Sequence, residues 1–235
     1  MMAQDASGTS ATNFKTIIAN SGKINVGGTN SIGMYTKDQY SFAEQISGTI
    51  DVSANNVGVV NNGTFDFKGG TISASGINSV GVYSANGANS TTNIGTGTAS
   101  SATLNVSNGG VGLYADAGSK QTLKGLNATV AGTSTAGSIL FYNIPTSGTK
   151  GTFDVSDPNA GSATIGAYSF AFYTNENIFS SPTAFAIFLN DWTNSGSGTG
   201  INLAMTSGSS LLLADVSSAA SKNVAFTNIT PVTGL

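Results

Sequence analysis

Asp154 and Asp157 stand three residues apart, just before Pro158, and of the carboxylates in this chain they are the pair best placed for acid–base work on a glycosidic bond. The same spacing suits a humbler task, because an Asp ahead of a proline caps a turn with its own side chain. Asp51 and Asp66 are the other outward acids of the repeated strands. If Asp51 and Asp154 hold equivalent strand positions, about four coils separate them, roughly 19 Å at the spacing of stacked strands. That is too far for two carboxylates to share one bond. The rest of the inventory is poorer still: the chain has no Cys, no His and no Arg, and its eight basic residues are all Lys. Thiol and imidazole nucleophiles and bases, the usual zinc ligands and the guanidinium fork are therefore excluded. No phosphate-binding Gly-x-x-x-x-Gly-Lys-Ser/Thr loop occurs. Gly109-Gly110-Val111-Gly112-Leu113-Tyr114 starts like a calcium-binding nonapeptide but carries Tyr114 where an Asp is required. No catalytic residue, metal ligand or cofactor is expected.

Aromatic and amide side chains are the remaining means of binding. Tyr35, Tyr83, Tyr114 and Tyr142 recur in one register, and a ladder of rings beside glycines suits a sugar or a peptide, or simple stacking at a corner. Between Ala167 and Trp192 lie Tyr168, Phe170, Phe172, Tyr173, Phe179, Phe185 and Phe188. This segment reads as the core of wider coils or as an exposed aromatic patch, with Tyr173, Phe179 and Trp192 as ligand-binding candidates. Phe170 and Phe172 alternate as buried strand residues do. Asn86 to Asn93 forms a polar stretch longer than its counterparts, so Asn89 is a further candidate on a projecting loop. Long polar insertions are also tolerated with no function at all.

The elements that must position these residues are repeats. Ser21-Gly22-Lys23-Ile24-Asn25-Val26, Ser47-Gly48-Thr49-Ile50-Asp51-Val52, Ser101-Ala102-Thr103-Leu104-Asn105-Val106 and Lys150-Gly151-Thr152-Phe153-Asp154-Val155 copy one strand, with Ile72 and Ile201 opening further copies and weak ones at Ala128 and Val224. Its apolar–polar–apolar alternation points the apolar pair inward. A second strand follows: Asn30-Ser31-Ile32-Gly33-Met34-Tyr35, Asn55-Asn56-Val57-Gly58-Val59-Val60, Asn78-Ser79-Val80-Gly81-Val82-Tyr83 and Gly109 to Tyr114. Gly33, Tyr35, Gly58, Gly81, Tyr83, Gly112 and Tyr114 are its structural signature. Ile32 and Met34 are expected to point inward, and Gly33 and Tyr35 outward. Asn30, Asn55 and Asn78 are expected to stack at a turn and to accept left-handed backbone angles. The rest of each coil is long enough for a third strand. Units that recur every few tens of residues bury their apolar faces only by stacking. The fold is thus all-β, a right-handed parallel β-helix of about eight to nine coils of roughly 25 residues.

The 235 residues read as one β-helical segment, with residues 1–20 as an N-terminal cap or lead-in and the whole as a piece of a longer solenoid. With 8% charged residues and a net charge of −3, no basic stripe is present to neutralise nucleic acid or an anionic membrane. No apolar run is long enough to span a bilayer as a helix.

The Asn-Ser-Ile/Val-Gly-Val/Met-Tyr strand, paired with Gly-Thr-Ile/Phe-Asn/Asp-Val in a Cys-free, Gly/Asn/Ser/Thr-rich background, resembles the passenger regions of type V autotransporter adhesins of the fusobacterial kind. The motif is clear over residues 20 to 145 and weaker beyond. The resemblance implies a monomeric, non-enzymatic stalk that is not itself membrane-inserted. It would be held at the cell surface through a C-terminal outer-membrane barrel and bind a host-cell receptor, a glycan or a surface protein of another bacterium. The competing class is a β-helical polysaccharide-degrading enzyme, pectate-lyase-like or tailspike-like. Ice binding, the third class, calls for regularly spaced Thr-x-Thr.

Overall fold

The computed structural model describes residues 2–3, 16–98, 101–143, 150–157, 159–174 and 201–214. Among them every regular element is a β-strand, and every pairing between named strands is parallel. The strands stack into three sheets that wrap a single core, a parallel β-helix. The first sheet has eight strands, Met2–Ala3, Ile32–Thr36, Val57–Asn61, Val80–Ser84, Val111–Ala115, Ser138–Asn143, Ser169–Thr174 and Ser210–Ala214. The second has six, from Thr16–Asn20 through Ser41–Gln45, Thr64–Phe67, Thr91–Ile94 and Lys120–Leu123 to Thr152–Asp154. The third has seven, Lys23–Val26, Thr49–Val52, Gly70–Ser75, Ala102–Ser107, Leu126–Ala131, Gly161–Ile165 and Asn202–Met205. Among the described residues six successive coils contribute one strand to each sheet, and the third strand expected per coil is the second sheet.

The core is built of in-register columns. Ile50, Ile72 and Leu104 lie one above another in the third sheet, opposite Val59, Val82 and Leu113 of the first, and all are fully buried. Each such side chain contributes about 1.5–3 kcal/mol by leaving water. Ile32, Val57, Val80, Val111, Ile139 and Phe170 mark one place in successive coils, so coils of 25 and 23 residues lengthen to 31, 28 and 31. The wider coils are filled by rings: Phe141 meets Phe153 edge-on at 5.1 Å and stacks on Phe172 at 5.3 Å.

The three first-sheet strands with Asn two residues ahead turn as their sequence demands. Asn30, Asn55 and Asn78 have φ of 57°, 61° and 60°. The Asn30 backbone N–H donates to the Asn55 carbonyl at 2.9 Å, and the Asn78 amide donates to Asn55 Oδ1 at 3.1 Å. A polar patch inside the rod is equally ordered. Thr36 Oγ1 donates to Asn61 Oδ1 at 2.6 Å, Asn61 Nδ2 donates to Thr92 Oγ1 at 3.0 Å, and Thr92 meets Ser84 at 2.7 Å. Buried polar atoms cost free energy unless paired in this way.

Four expectations need correction. Ile32 points out, 47% exposed, and Gly33 points in, because the strand bends at the glycine and leaves two consecutive residues, Gly33 and Met34, facing the core. For the same reason Phe170 sits in the outward column with Ile32, and only Phe172 is buried. The Lys150–Val155 copy belongs to the second sheet: Phe153 pairs with Gln121, and Gly161–Ile165 is the third-sheet strand of that coil. Thr64-Phe65-Asp66-Phe67 of the second sheet has the same alternation, so the motif alone does not separate the two sheets. Finally, Leu203 rather than Ile201 continues the Ile24 column, a shift of two residues that keeps the same face inward.

Candidate binding face

The bend at the glycine decides what the first sheet shows to solvent. With two residues turned inward, the strands from Ile32–Thr36 to Val111–Ala115 present their first and fourth residues, and Ser138–Asn143 and Ser169–Thr174 their second and fifth. The outer face therefore carries an aliphatic column, Ile32, Val57, Val80, Val111 and Ile139 with Phe170 at its end, beside the tyrosine column. Ile32 is exposed and the others are half-buried. In four successive coils the bend falls on a glycine: Gly33, Gly58, Gly81 and Gly112. A Cβ on Gly58 would lie 2.6 Å from the Gly81 carbonyl oxygen and 2.9 Å from Val52 Cγ2. In the next two coils Leu140 and Ala171 take the same place and are fully buried.

The tyrosines fall in one register with a single interruption: Tyr35, then Val60, then Tyr83, Tyr114, Tyr142 and Tyr173. Ring centroids are 4.9, 4.5 and 4.9 Å apart along the last four, with neighbouring rings tilted by 41–58°. The Tyr83 hydroxyl donates to Asp116 Oδ2 at 2.6 Å, and the Ala117 backbone N–H donates to Asp116 Oδ1 at 2.6 Å. Asp116 is fully buried, a position a carboxylate holds only when its oxygens are hydrogen-bonded. Burial, followed by the hydrogen bond to Asp116, raises the pKa of the Tyr83 phenol well above its ordinary range. Burial and the nearby Asp116 charge do the same for Tyr114. Both therefore stay protonated donors. Sequence spacing found the ladder but not Asp116, whose burial depends on the turn that follows Ala115.

Tyr173 of the sequence candidates joins the ladder, with Tyr142 on one side and Leu213 as its register partner on the other. Asn89 is exposed on the turn after Ser84, while the neighbouring Ser90 is buried with its hydroxyl on the Asn61 carbonyl. The stretch expected to form one loop ends early, since Thr91–Ile94 is a strand and Thr92 pairs with Phe65. Phe179 and Trp192 lie outside the described residues. Tyr168, which the sequence did not single out, occupies the Asn slot with φ of 54° and is 55% exposed.

The acids are committed elsewhere. Asp51 pairs with Lys23 at 3.0 Å on the third sheet, and Asp154 pairs with Lys120 at 2.9 Å on the second. They are not equivalent positions, contrary to the sequence alignment of their strands. Lys68 binds Glu44 and lies 4.0 Å from Asp66. Asp154 Oδ1 also accepts from the Ser156 hydroxyl and N–H, and Asp157 Oδ1 accepts from the Asn159 N–H at 2.8 Å, so both make the turn contacts that the spacing allowed. Ser156 and Lys120 hold the Asp154 pKa down to about 2 against a partial desolvation. Among the described residues no group of three potential metal ligands comes together. A shallow trough of about 470 Å³ crosses the outer face of the third sheet, between Asn25, Asp51, Ser53 and Ser73.

Comparison with known protein families, with curated proteins and with solved structures found no match.

Proposed function

We propose that this chain is a non-enzymatic adhesin segment, a β-helical stalk that presents a binding face to a host cell or to another bacterium. The observation that carries the reading is the outer face of the first sheet. Its aliphatic column runs through six successive coils beside a tyrosine column interrupted only at Val60, and both are exposed or half-exposed, an arrangement that suits a partner of repeating or extended shape. Asp51, Asp154 and Asp157, by contrast, are tied to lysines or to their own turns. The resemblance of the strand motif to type V passengers supports host receptors, glycans and bacterial surface proteins as the classes of partner. The same resemblance supports a location at the cell surface, anchored through an outer-membrane barrel. Among the described residues no helix is long and apolar enough to cross a membrane.

The test is binding of the purified protein to intact cells and to a glycan panel, alongside Val111→Lys, which sets a charge in the middle of the face at a half-exposed position. Specific binding by the parent protein, reduced at least tenfold in the variant while the thermal unfolding is retained, is the expected result. A folded protein that binds neither cells nor glycans, or that releases reducing ends or unsaturated sugars from polysaccharides, overturns the reading.

A further inference from the structure

The interruption at Val60 gives the tyrosine ladder a notch. Tyr35 and Tyr83 stand in register two strands apart, with Val60 between them, so their rings are separated by two strand spacings, about 9.6 Å. From Tyr83 to Tyr173 a tyrosine fills each step, with centroids 4.5–4.9 Å apart. Here the step is occupied by an isopropyl group, and solvent reaches it. Tyr83 is held away from the gap, because its hydroxyl is bonded to Asp116 in the following coil and its ring packs on Tyr114. A ring inserted over Val60 would sit about 4.8 Å from each tyrosine, within the range of about 4.5–7 Å in which rings pack.

The surroundings of the notch are amphipathic. Its floor is Val60 with Val57, the outward residue of the same strand. Its edge, where the strands end, carries the exposed Lys37 and the half-exposed Asn62, whose Nδ2 donates to the Thr36 carbonyl at 3.2 Å and whose Oδ1 has no hydrogen bond among the described residues. A flat group with C–H groups on both faces and hydroxyls around its rim matches this better than a purely aromatic ring. We infer that the Tyr35–Val60–Tyr83 notch is a subsite for one pyranose unit of a glycan, clamped between two tyrosines with its hydroxyls at Asn62 and Lys37. The inference rests on the adhesin reading and assigns a ligand class and a place to it.

Calorimetric titration with β-1,4-linked glucose and N-acetylglucosamine hexamers, preceded by an array of other hexose oligosaccharides, tests it with three variants. Val60→Tyr completes the ladder: it should lower affinity for the best-bound oligosaccharide at least tenfold while raising the melting temperature, so that loss of binding cannot be ascribed to loss of fold. Tyr35→Ala removes one wall and should weaken binding to a similar degree. Thr129→Ala, on the outer face of the third sheet, should leave affinity unchanged. Full oligosaccharide affinity in Val60→Tyr overturns the subsite. So does preferential binding of N-acetyltryptophanamide over every oligosaccharide, which would make the notch a receptor for an aromatic side chain. Cell binding by the parent protein that survives in Val60→Tyr, with no oligosaccharide bound, rejects the notch and leaves the adhesin reading standing. A parent protein that binds neither cells nor oligosaccharides rejects both.

Discussion

Asp154 shows how a residue that invites a chemical reading is spent on structure. Its carboxylate takes the Ser156 hydroxyl at 2.6 Å and Lys120 at 2.9 Å, and these partners lower its pKa from the usual carboxylate value to about 2. A group whose pKa is depressed by folding adds stability above its unfolded pKa and loses it as pH falls through the folded value. Asp154→Asn should therefore lower stability by about 1 kcal/mol at pH 7, and the difference from the parent protein should close as the pH approaches 2. Urea unfolding at the two pH values measures this. A difference that persists undiminished at pH 2 would show that the carboxylate's charge is irrelevant to the turn. The sequence showed the Asp-x-x-Asp-Pro spacing and its turn-capping use. It did not show Lys120, which lies one coil away and is brought close only by the pairing of Lys120–Leu123 with Thr152–Asp154.

The first-sheet strand is the element that sets the outer face, and its bend is the decisive detail. A period-two reading of Ile32-Gly33-Met34-Tyr35 turns Ile32 inward, whereas the strand turns Gly33 and Met34 inward together. Tyr35 faces out in both cases, so the tyrosine register was legible although the aliphatic column was not. Alternation reports direction only where the strand is straight, and the glycine that marks the bend looks in sequence like an ordinary small outward residue. Gly58→Ala should destabilise the fold by about 1–3 kcal/mol through overpacking against the Gly81 carbonyl and Val52. Ala171→Gly, at the same place in a wide coil, should cost clearly less. Urea denaturation of the two variants decides it, and equal tolerance of both would remove the steric account of the bend. Asn30, Asn55 and Asn78 were fully legible, because a left-handed residue before a strand restricts the choice of side chain to very few types.

Stacked coils make the described β-helix quasi-one-dimensional, since each interior strand is bonded to its copies in the coil before and the coil after. Stability is then shared between neighbours and is greatest where both are present. Amide hydrogen exchange should show strongest protection in Gly70–Ser75 and Ala102–Ser107, which are paired on both sides, and weaker protection in Thr16–Asn20 and Asn202–Met205. In Gly58→Ala, protection should fall together in the coils on both sides of residue 58. A loss confined to Val57–Asn61 would mean that the coils open independently. At this scale the sequence by itself determined the architecture: repeated alternating strands, turns punctuated by Asn and Gly, and a composition without His, Cys or Arg leave a stacked solenoid as the way to bury the apolar pairs. Only the tertiary structure decided which copy belongs to which sheet, as Phe153 illustrates, because two sheets share one alternation and differ in the lengths of the turns between them. It likewise decided the notch at Val60 and the buried Asp116 beneath Tyr83. Both are relations between adjacent coils, set by a pairing register that joins residues 23 to 33 positions apart and leaves no mark in any one strand.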